Sequence, residues 1–79
     1  MDNKRPETTP PDDLLCTEDR RRIWRALRNG DHVYITSSRR AVLRETGEDL
    51  GCQVAAQAIL FAGFARWRLG APWVMEIKL

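Results

Sequence analysis

The chain has 79 residues, a formal net charge of +2 and a hydrophobic content of 43%. A chain of this length holds one domain at most, and its small core leaves its stability marginal. One histidine, two cysteines and no glycine-rich phosphate loop provide neither a metal site nor a catalytic set, so we expect no cofactor and no enzymatic activity.

The charges are divided unevenly along the chain. Residues 1–19 carry two bases against six acids, whereas the rest of the chain carries eleven bases against five acids. Eleven of the thirteen bases are arginines, which suits recognition of phosphate or carboxylate groups. The codon usage of a GC-rich genome would produce the same preference. An acidic start therefore precedes a basic body.

Residues 1–13 hold three of the four prolines together with several charged and polar residues. Such a segment buries too little apolar surface to offset its ordering entropy, so we predict a disordered acidic tail followed by a single domain over residues 14–79. No secretory signal opens the chain, and the uncharged stretch over residues 50–65 is shorter than the roughly 20 residues that span a bilayer. We therefore expect a cytoplasmic protein without membrane association.

A first helix is predicted to begin after Thr17, a favoured N-cap residue that is followed by two acids. Ile23, Trp24 and Leu27 then share one face, and Gly30 supplies the stop. The opposite face is basic and carries arginines at helical spacing, namely Arg21, Arg25 and Arg28.

The next segment alternates, with Val33 and Ile35 on one side and Tyr34 on the other, which predicts a strand. A polar turn then allows residues 41–45 to return as a second strand, although the turn lacks the Asn-Gly or Asp-Gly signature of a tight hairpin. A short helix over residues 39–45 is the competing interpretation. In the hairpin, Tyr34 would lie on an open face of the sheet.

Thr46 begins a pattern that resembles a capping box and predicts a second helix over residues 47–69. The small residues of this helix share one face, which suits close packing on a sheet. Leu60, Phe61 and Phe64 lie nearly opposite. Their side needs cover from the first helix or from another molecule.

The last residues alternate with a period of two, with Trp73, Met75 and Ile77 on one side, and predict a strand that belongs to the sheet. The predicted order is α–β–β–α–β. A helix between the second and third strands implies a right-handed crossover between parallel neighbours. We therefore expect an α+β two-layer sandwich, with a three-stranded sheet and both helices on one of its faces.

Tryptophan and arginine dominate the hot spots of protein interfaces. Trp73 is expected in the core as part of the alternating run. Trp67 lies between Arg66 and Arg68 at the end of the predicted helix and is the best candidate for an exposed anchor. The arginines of the first helix and of the hairpin turn complete the surface. The predicted partner-binding residues are Arg21, Arg25, Arg28, Arg39, Arg40, Trp67 and Arg68.

The small size, the mixed α/β order, the arginine-rich body and the acidic start with Asp12, Asp13, Glu18 and Asp19 are similar to those of anti-CRISPR proteins encoded by phages and mobile elements. The resemblance implies a non-enzymatic inhibitor that binds a CRISPR-Cas effector complex of the Cascade type directly. Because the body is basic, we expect such an inhibitor to block a protein surface by steric or allosteric means and not to imitate DNA.

Two further functions are compatible with the same residues. The arginines of the first helix could track a phosphate backbone while Tyr34 stacks a base, which describes a small nucleic-acid-binding or regulatory protein. Burial of the side with Leu60, Phe61 and Phe64 would instead give a homodimer. A protein partner is thus predicted first and nucleic acid second, for a chain that is either a monomer or a homodimer.

Overall fold

The computed structural model describes residues 10–78, which form a small α+β domain with two helices and five strands. In chain order the elements are α1 (Glu18–Arg28), β1 (Val33–Ile35), β2 (Arg40–Leu43), β3 (Asp49–Cys52), α2 (Gln53–Phe61), β4 (Ala65–Trp67) and β5 (Val74–Ile77). The strands form one antiparallel sheet in the order β3-β2-β1-β5-β4, so β3 and β4 are its edges. Residues 1–9 of the predicted disordered tail lie outside the described residues.

The first helix forms where the sequence predicted it. Thr17 is the N-cap, and its Oγ1 accepts a hydrogen bond from the backbone N–H of Arg20 at 3.2 Å. Ile23, Trp24 and Leu27 are buried, and α1 packs against the sheet and against α2. The capping residue and the amphipathic pattern were therefore enough to position α1.

The β1–β2 hairpin is also confirmed, and the competing helix over residues 39–45 is wrong. The turn closes without an Asn-Gly pair because Thr36 accepts two backbone bonds. Its carbonyl oxygen accepts from Arg39 N–H at 3.0 Å, and its Oγ1 accepts from Arg40 N–H at 3.1 Å. Tyr34 is exposed on the face of the sheet that the helices do not cover, as predicted.

The predicted long helix over residues 47–69 is wrong at its beginning. Thr46 does not cap a helix, because its Oγ1 accepts from the backbone N–H of Glu48 at 3.2 Å inside the turn that joins β2 to β3. The chain then runs extended as β3. There Gly51 is buried and has a φ of +138°, which residues with a side chain rarely adopt. A helix starts only at Gln53, because β2 offers a partner strand that the local capping pattern could not indicate.

The same prediction is wrong at its end, because α2 stops at Phe61. Gly63 has a left-handed backbone with a φ of +92° and terminates the helix. The N–H groups of Gly63 and Phe64 bond back to the carbonyl oxygens of Leu60 and Ile59. A run of small, uncharged residues resembled one continuous helix, whereas a single glycine divides it into α2 and β4.

The predicted three-stranded sheet with a parallel crossover is wrong, because the two additional strands change the topology. The predicted terminal strand exists as β5, but it forms an antiparallel hairpin with β4 and inserts between β4 and β1. Its contact with β1 is antiparallel and pairs Val33 with Met75 and Tyr34 with Val74. Every pair of neighbouring strands in the described sheet is therefore antiparallel.

The core lies between the two helices and one face of the sheet. Its largest fully buried side chains are Ile23, Leu27, Val33, Ile59 and Met75. Phe64 follows α2 and packs edge to face against Trp24 with ring centroids 6.0 Å apart, whereas Phe61 is 78% exposed. The residues predicted to hold a homodimer together therefore do not form one surface.

No helix within residues 10–78 is long and apolar enough to cross a membrane. Cys16 is exposed, Cys52 is half-buried, and both are free thiols. The same part of the chain contains no cluster of three or more metal-ligating side chains.

Candidate partner-binding surface

The predicted partner-binding residues do not form one surface. They lie in three regions: the exposed face of α1, the start of β2 beside the N-terminus of α2, and the end of β4. The first region contains Arg21, Arg25 and Arg28, the second contains Arg39 and Arg40, and the third contains Trp67 and Arg68. The regions differ in how much charge and apolar surface they leave free for a partner.

The arginines on α1 are exposed, and two of them share one acid. Glu18 pairs with Arg21 at 3.3 Å and with Arg22 at 3.4 Å. Arg25 and Arg28, in the last turn, make no ion pair with an acid among residues 10–78. Exposed ion pairs of this type stabilise a protein by less than about 1 kcal/mol. The stripe therefore contributes little to the fold and keeps much of its charge for an anionic partner.

Arg40 is engaged within the sheet. Its guanidinium donates to both carboxylate oxygens of Asp49 on β3, at distances of 3.0 to 3.2 Å. The backbone N–H of Gly51 and, after it, the Arg40 guanidinium hold the pKa of Asp49 below its ordinary value. Arg40 thus supports the pairing of β2 with β3 and has little charge left for a partner.

Arg39 lines a groove of about 770 Å³ at the N-terminus of α2. Tyr34 and Trp73 supply aromatic walls, and Gln53 and Gln57 supply amides. Within residues 10–78, Arg39 and Trp73 are the two non-glycine residues with a left-handed backbone, with φ of +65° and +70°. Such a conformation costs roughly 1–3 kcal/mol and persists only where the surrounding structure holds it in place. The groove is therefore a strained, mixed aromatic and polar surface.

Trp67 and Trp73 form an exposed aromatic pair. Their rings meet edge to face with centroids 6.0 Å apart, and they are 40% and 56% exposed. The exposure of Trp67 agrees with the sequence prediction, whereas the prediction that Trp73 lies in the core is wrong. Trp73 precedes β5 with a left-handed backbone, and Val74 and Met75 of β5 are both buried, so the predicted alternation of buried and exposed residues does not hold here. Leu69, in the loop between the two tryptophans, adds a fully exposed apolar side chain.

A polar network that the sequence did not reveal surrounds Arg68. His32 Nδ1 donates to Glu45 Oε2 at 3.0 Å, and Arg68 Nη1 donates to His32 Nε2 at 3.0 Å. Because arginine can only donate, these contacts correspond to a neutral imidazole with its proton on Nδ1. Glu76 lies 3.9 Å from Nε2 and pairs with Arg66 at 2.9 Å. The hydrogen bond from His32 holds the pKa of Glu45 below its ordinary value.

Strand pairing, and not sequence spacing, brings this network together. His32 precedes β1, Glu76 lies on the neighbouring β5, and Arg66 is the residue of β4 that pairs with Glu76. No signal in the sequence indicates that register. The bond that His32 Nε2 accepts from Arg68 orients the Arg68 guanidinium.

Comparison of the chain with protein-family models, with curated proteins and with solved structures finds no match. The end of β4 combines exposed tryptophans with arginines, the residue types that dominate interface hot spots. This region is the best suited of the three to hold a protein partner.

Proposed function

We propose that the chain is a non-enzymatic inhibitor that works by stoichiometric binding to another protein. The observation that carries the proposal is the exposed pair of Trp67 and Trp73, beside Arg66 and Arg68. The proposed target is a CRISPR-Cas effector complex of the Cascade type in the cytoplasm of a bacterium. The resemblance to anti-CRISPR proteins suggests that target, and the tryptophan pair suggests the means of binding it.

The tryptophan pair can supply a large part of an interface. A tryptophan side chain offers roughly 150–250 Å² of surface, and about half of each ring still contacts water here. At about 25 cal/mol per Å² of apolar surface, burial of the exposed part of each ring contributes roughly 2–3 kcal/mol. The edge-to-face contact already restricts both rings, so their burial loses less side-chain entropy than burial of free rings would.

The neighbouring arginines orient the partner. Arg68 donates to a neutral imidazole, so its positive charge has no matching negative charge in that bond. A complementary acidic patch on the target would increase the rate of association and fix its orientation more than it would increase affinity. Inhibition by such a surface requires only that it occupies or distorts a site on the effector complex.

Capture of partners from a bacterial lysate tests this proposal. The full chain is immobilised, exposed to nuclease-treated lysate from cells that express a Cascade-type complex, and washed in moderate salt. We expect a discrete effector complex to remain bound. With the purified complex, Trp67→Ala should weaken binding by about 30-fold, since loss of a hot-spot residue costs about 2 kcal/mol or more. Arg25→Ala, on α1, is the control and should bind like the unchanged chain.

The outcomes separate the proposal from its competitors. A complex that survives nuclease and salt and depends on Trp67 supports the inhibitor. Retention that disappears after nuclease treatment contradicts it, and so does equal weakening by Trp67→Ala and Arg25→Ala.

Nucleic-acid binding is the second candidate, and it is favoured by Arg25, Arg28 and the groove at Arg39 and Tyr34. Phosphate contacts would make the affinity fall steeply as salt increases. The combined substitution of Arg25 and Arg28 by alanine should then weaken binding of single-stranded nucleic acid, whereas Trp67→Ala should not. Binding of the effector complex should show the reverse pattern.

A further inference from the structure

His32 is held between charged side chains from three other parts of the fold. Glu45, in the turn after β2, accepts from Nδ1 at 3.0 Å, and Arg68, directly after β4, donates to Nε2 at 3.0 Å. Glu76 on β5 places its Oε1 3.9 Å from the same Nε2, while its Oε2 accepts from Arg66 on β4 at 2.9 Å. The side chains of His32 and Glu76 are each 23% exposed, so salt and water screen these contacts only in part.

Two further charged residues adjoin His32 through the backbone. Asp31 precedes it, and the backbone N–H of Arg44 donates to the carbonyl oxygen of His32 at 2.9 Å. Neither of these side chains forms an ion pair within residues 10–78. The response of the ring to a proton is therefore determined chiefly by the side chains that contact it.

The charges of the network balance only while the imidazole is neutral, because the two arginines then match the two glutamates in number. A proton on Nε2 turns this nitrogen from an acceptor into a donor, so it can no longer accept from Arg68. It also places a second positive charge about 3 Å from the guanidinium. Glu76 Oε1 has to move by only about 1 Å to form a charge-assisted bond of about 2.7–2.9 Å with Nε2.

We propose that His32 and Arg68 form a pH-sensitive switch, in which protonation of the imidazole transfers Nε2 from Arg68 to Glu76 and releases the Arg68 guanidinium. The proton comes from solvent, which reaches the partly exposed ring. Histidine is the side chain that ordinarily changes charge between about pH 5 and pH 8, so the switch operates in this range. Glu45 stays ionised there, because its hydrogen bond with His32 holds its pKa below the ordinary value.

The switch goes beyond the proposed function and does not depend on the identity of the target. It acts on the exposed surface at the end of β4, since Arg68 directly follows Trp67. After protonation, His32 and Arg66 together match the two glutamates, and the charge of Arg68 is left over for another molecule. A carboxylate that draws Arg68 away from Nε2 is therefore bound more tightly at low pH, and its binding favours protonation of His32.

NMR on the full, untagged chain tests the switch without a partner. His32 is the single histidine of the sequence, so the imidazole ¹⁵N signals have one source. At about pH 8 they should show a proton on Nδ1 and none on Nε2, and at about pH 5 a proton on both. Over the same titration, the order parameter of the Arg68 side-chain N–H should fall below about 0.6, which is typical of flexible groups. That of Arg66 is the matched control and should change little.

A second test uses the reciprocity of the coupling. If protonation of His32 breaks its contact with Arg68, then Arg68 opposes protonation by the same factor. Arg68→Gln should therefore raise the affinity of His32 for a proton by at least about threefold, as expected for one partly exposed charge interaction. Arg25→Gln makes the same chemical change on α1 and should have no effect. In His32→Gln, the mobility of Arg68 should no longer depend on pH, because an amide does not titrate in this range.

Several outcomes would overturn the inference. They are a proton on Nε2 at about pH 8, an Arg68 side chain that stays ordered when the ring is protonated, and equal loosening of Arg66 and Arg68. Equal effects of Arg68→Gln and Arg25→Gln would overturn it as well. The titration of the unchanged chain decides the matter even if a variant fails to fold. Capture of an effector complex plays no part in these measurements, so the switch and the proposed function fail separately.

Discussion

The two edges of the sheet are built differently, although both are short strands of the same small domain. β3 contains a register shift against β2, and α1 packs against it. The N–H groups of Gly51 and Cys52 donate to carboxylates, to Asp49 at 2.9 Å and to Asp19 at 3.3 Å. Irregular pairing, nearby charge and a covering helix are features that prevent an edge from pairing with another chain.

β4 is bordered differently: α2 packs against it, and its middle residue Arg66 pairs with Glu76 of β5 at 2.9 Å. Ala65 is buried, and the exposed rings of Trp67 and Trp73 lie where β3 has carboxylates. The two edges therefore differ in chemistry, since β3 is bordered by acids and β4 by exposed aromatic rings. Substitutions at either edge test how far this difference determines stability and binding.

Among substitutions at the two edges, Gly51→Ala on β3 should have the largest effect. A Cβ at this position would lie 2.5 Å from the side chain of Asp19, and the φ of +138° is strained for any residue with a side chain. Overpacking and backbone strain together should lower the free energy of unfolding by about 2–4 kcal/mol. Urea denaturation measures the change.

Gly47→Ala is the matched control for that substitution. Gly47 also has a left-handed backbone, with a φ of +81°, but a Cβ there would meet nothing within 4 Å. Its cost should be limited to about 1 kcal/mol of backbone strain. If Asp19 causes the larger loss, combining Asp19→Gly, which also removes the Asp19 Cβ that would lie 2.7 Å from the added Cβ, with Gly51→Ala should destabilise by less than the sum of the single changes. Additive losses would show that Asp19 does not pack against this edge as closely as the contact distance indicates.

Beside β4, in the loop that leads into β5, Trp73→Gly should leave stability nearly unchanged. Glycine removes the strain at φ +70°, and this gain offsets the loss of the exposed contact with Trp67 and the added flexibility of the unfolded chain. The free energy of unfolding should change by less than about 1 kcal/mol, while binding of the captured target falls by at least about tenfold.

Trp24→Ala provides the contrast, because Trp24 is buried against Phe64 and its loss should cost about 3–5 kcal/mol. Urea denaturation and binding assays on both variants would show whether loss of Trp73 mainly reduces binding and loss of Trp24 mainly reduces stability. A Trp73→Gly variant that is as unstable as Trp24→Ala would place Trp73 in the structural core, against its exposure.

The elements that could be predicted from sequence are those whose signal is local. The cap at Thr17 and the apolar face of α1 define a helix by themselves, and the alternation through Met75 defines β5. β3 has no such signal, because its pairing depends on β2 and on the conformation of Gly51. β4 was not predicted, because the small residues on both sides of Gly63 have a composition typical of a helix.

The residues of the candidate site likewise include some that local sequence predicts and some that it does not. The exposure of Trp67 followed from its charged neighbours, whereas the exposure of Trp73 depends on one backbone dihedral that the alternating pattern cannot report. The contact between His32 and Arg68 depends on the register of the sheet, and the position of β4 at an edge depends on the order of the strands. These are properties of the assembled sheet, which no single segment of the sequence specifies.

Low pH should weaken the pairing of β3 with β2 through protonation of Asp49. This is the smallest of the expected effects. The pKa of Asp49 lies below its ordinary value of 3.8, first because of the Gly51 N–H and then because of the Arg40 guanidinium. Because the pKa is lower in the folded than in the unfolded chain, ionised Asp49 stabilises the fold above the ordinary value. That contribution is lost as the pH falls through the folded-state pKa. Urea unfolding from about pH 5 to about pH 2 should therefore show a decline in stability that is shallower in Asp49→Asn.

The control for the acid effect separates its two causes. Arg40→Gln removes the guanidinium and leaves the Gly51 N–H in place, so it should flatten the decline less than Asp49→Asn does. Equal flattening in the two variants would assign the effect to the ion pair with Arg40. A decline that persists unchanged in Asp49→Asn would mean that other acids produce it, and the protection of β3 would then depend on Asp19 and the covering helix alone.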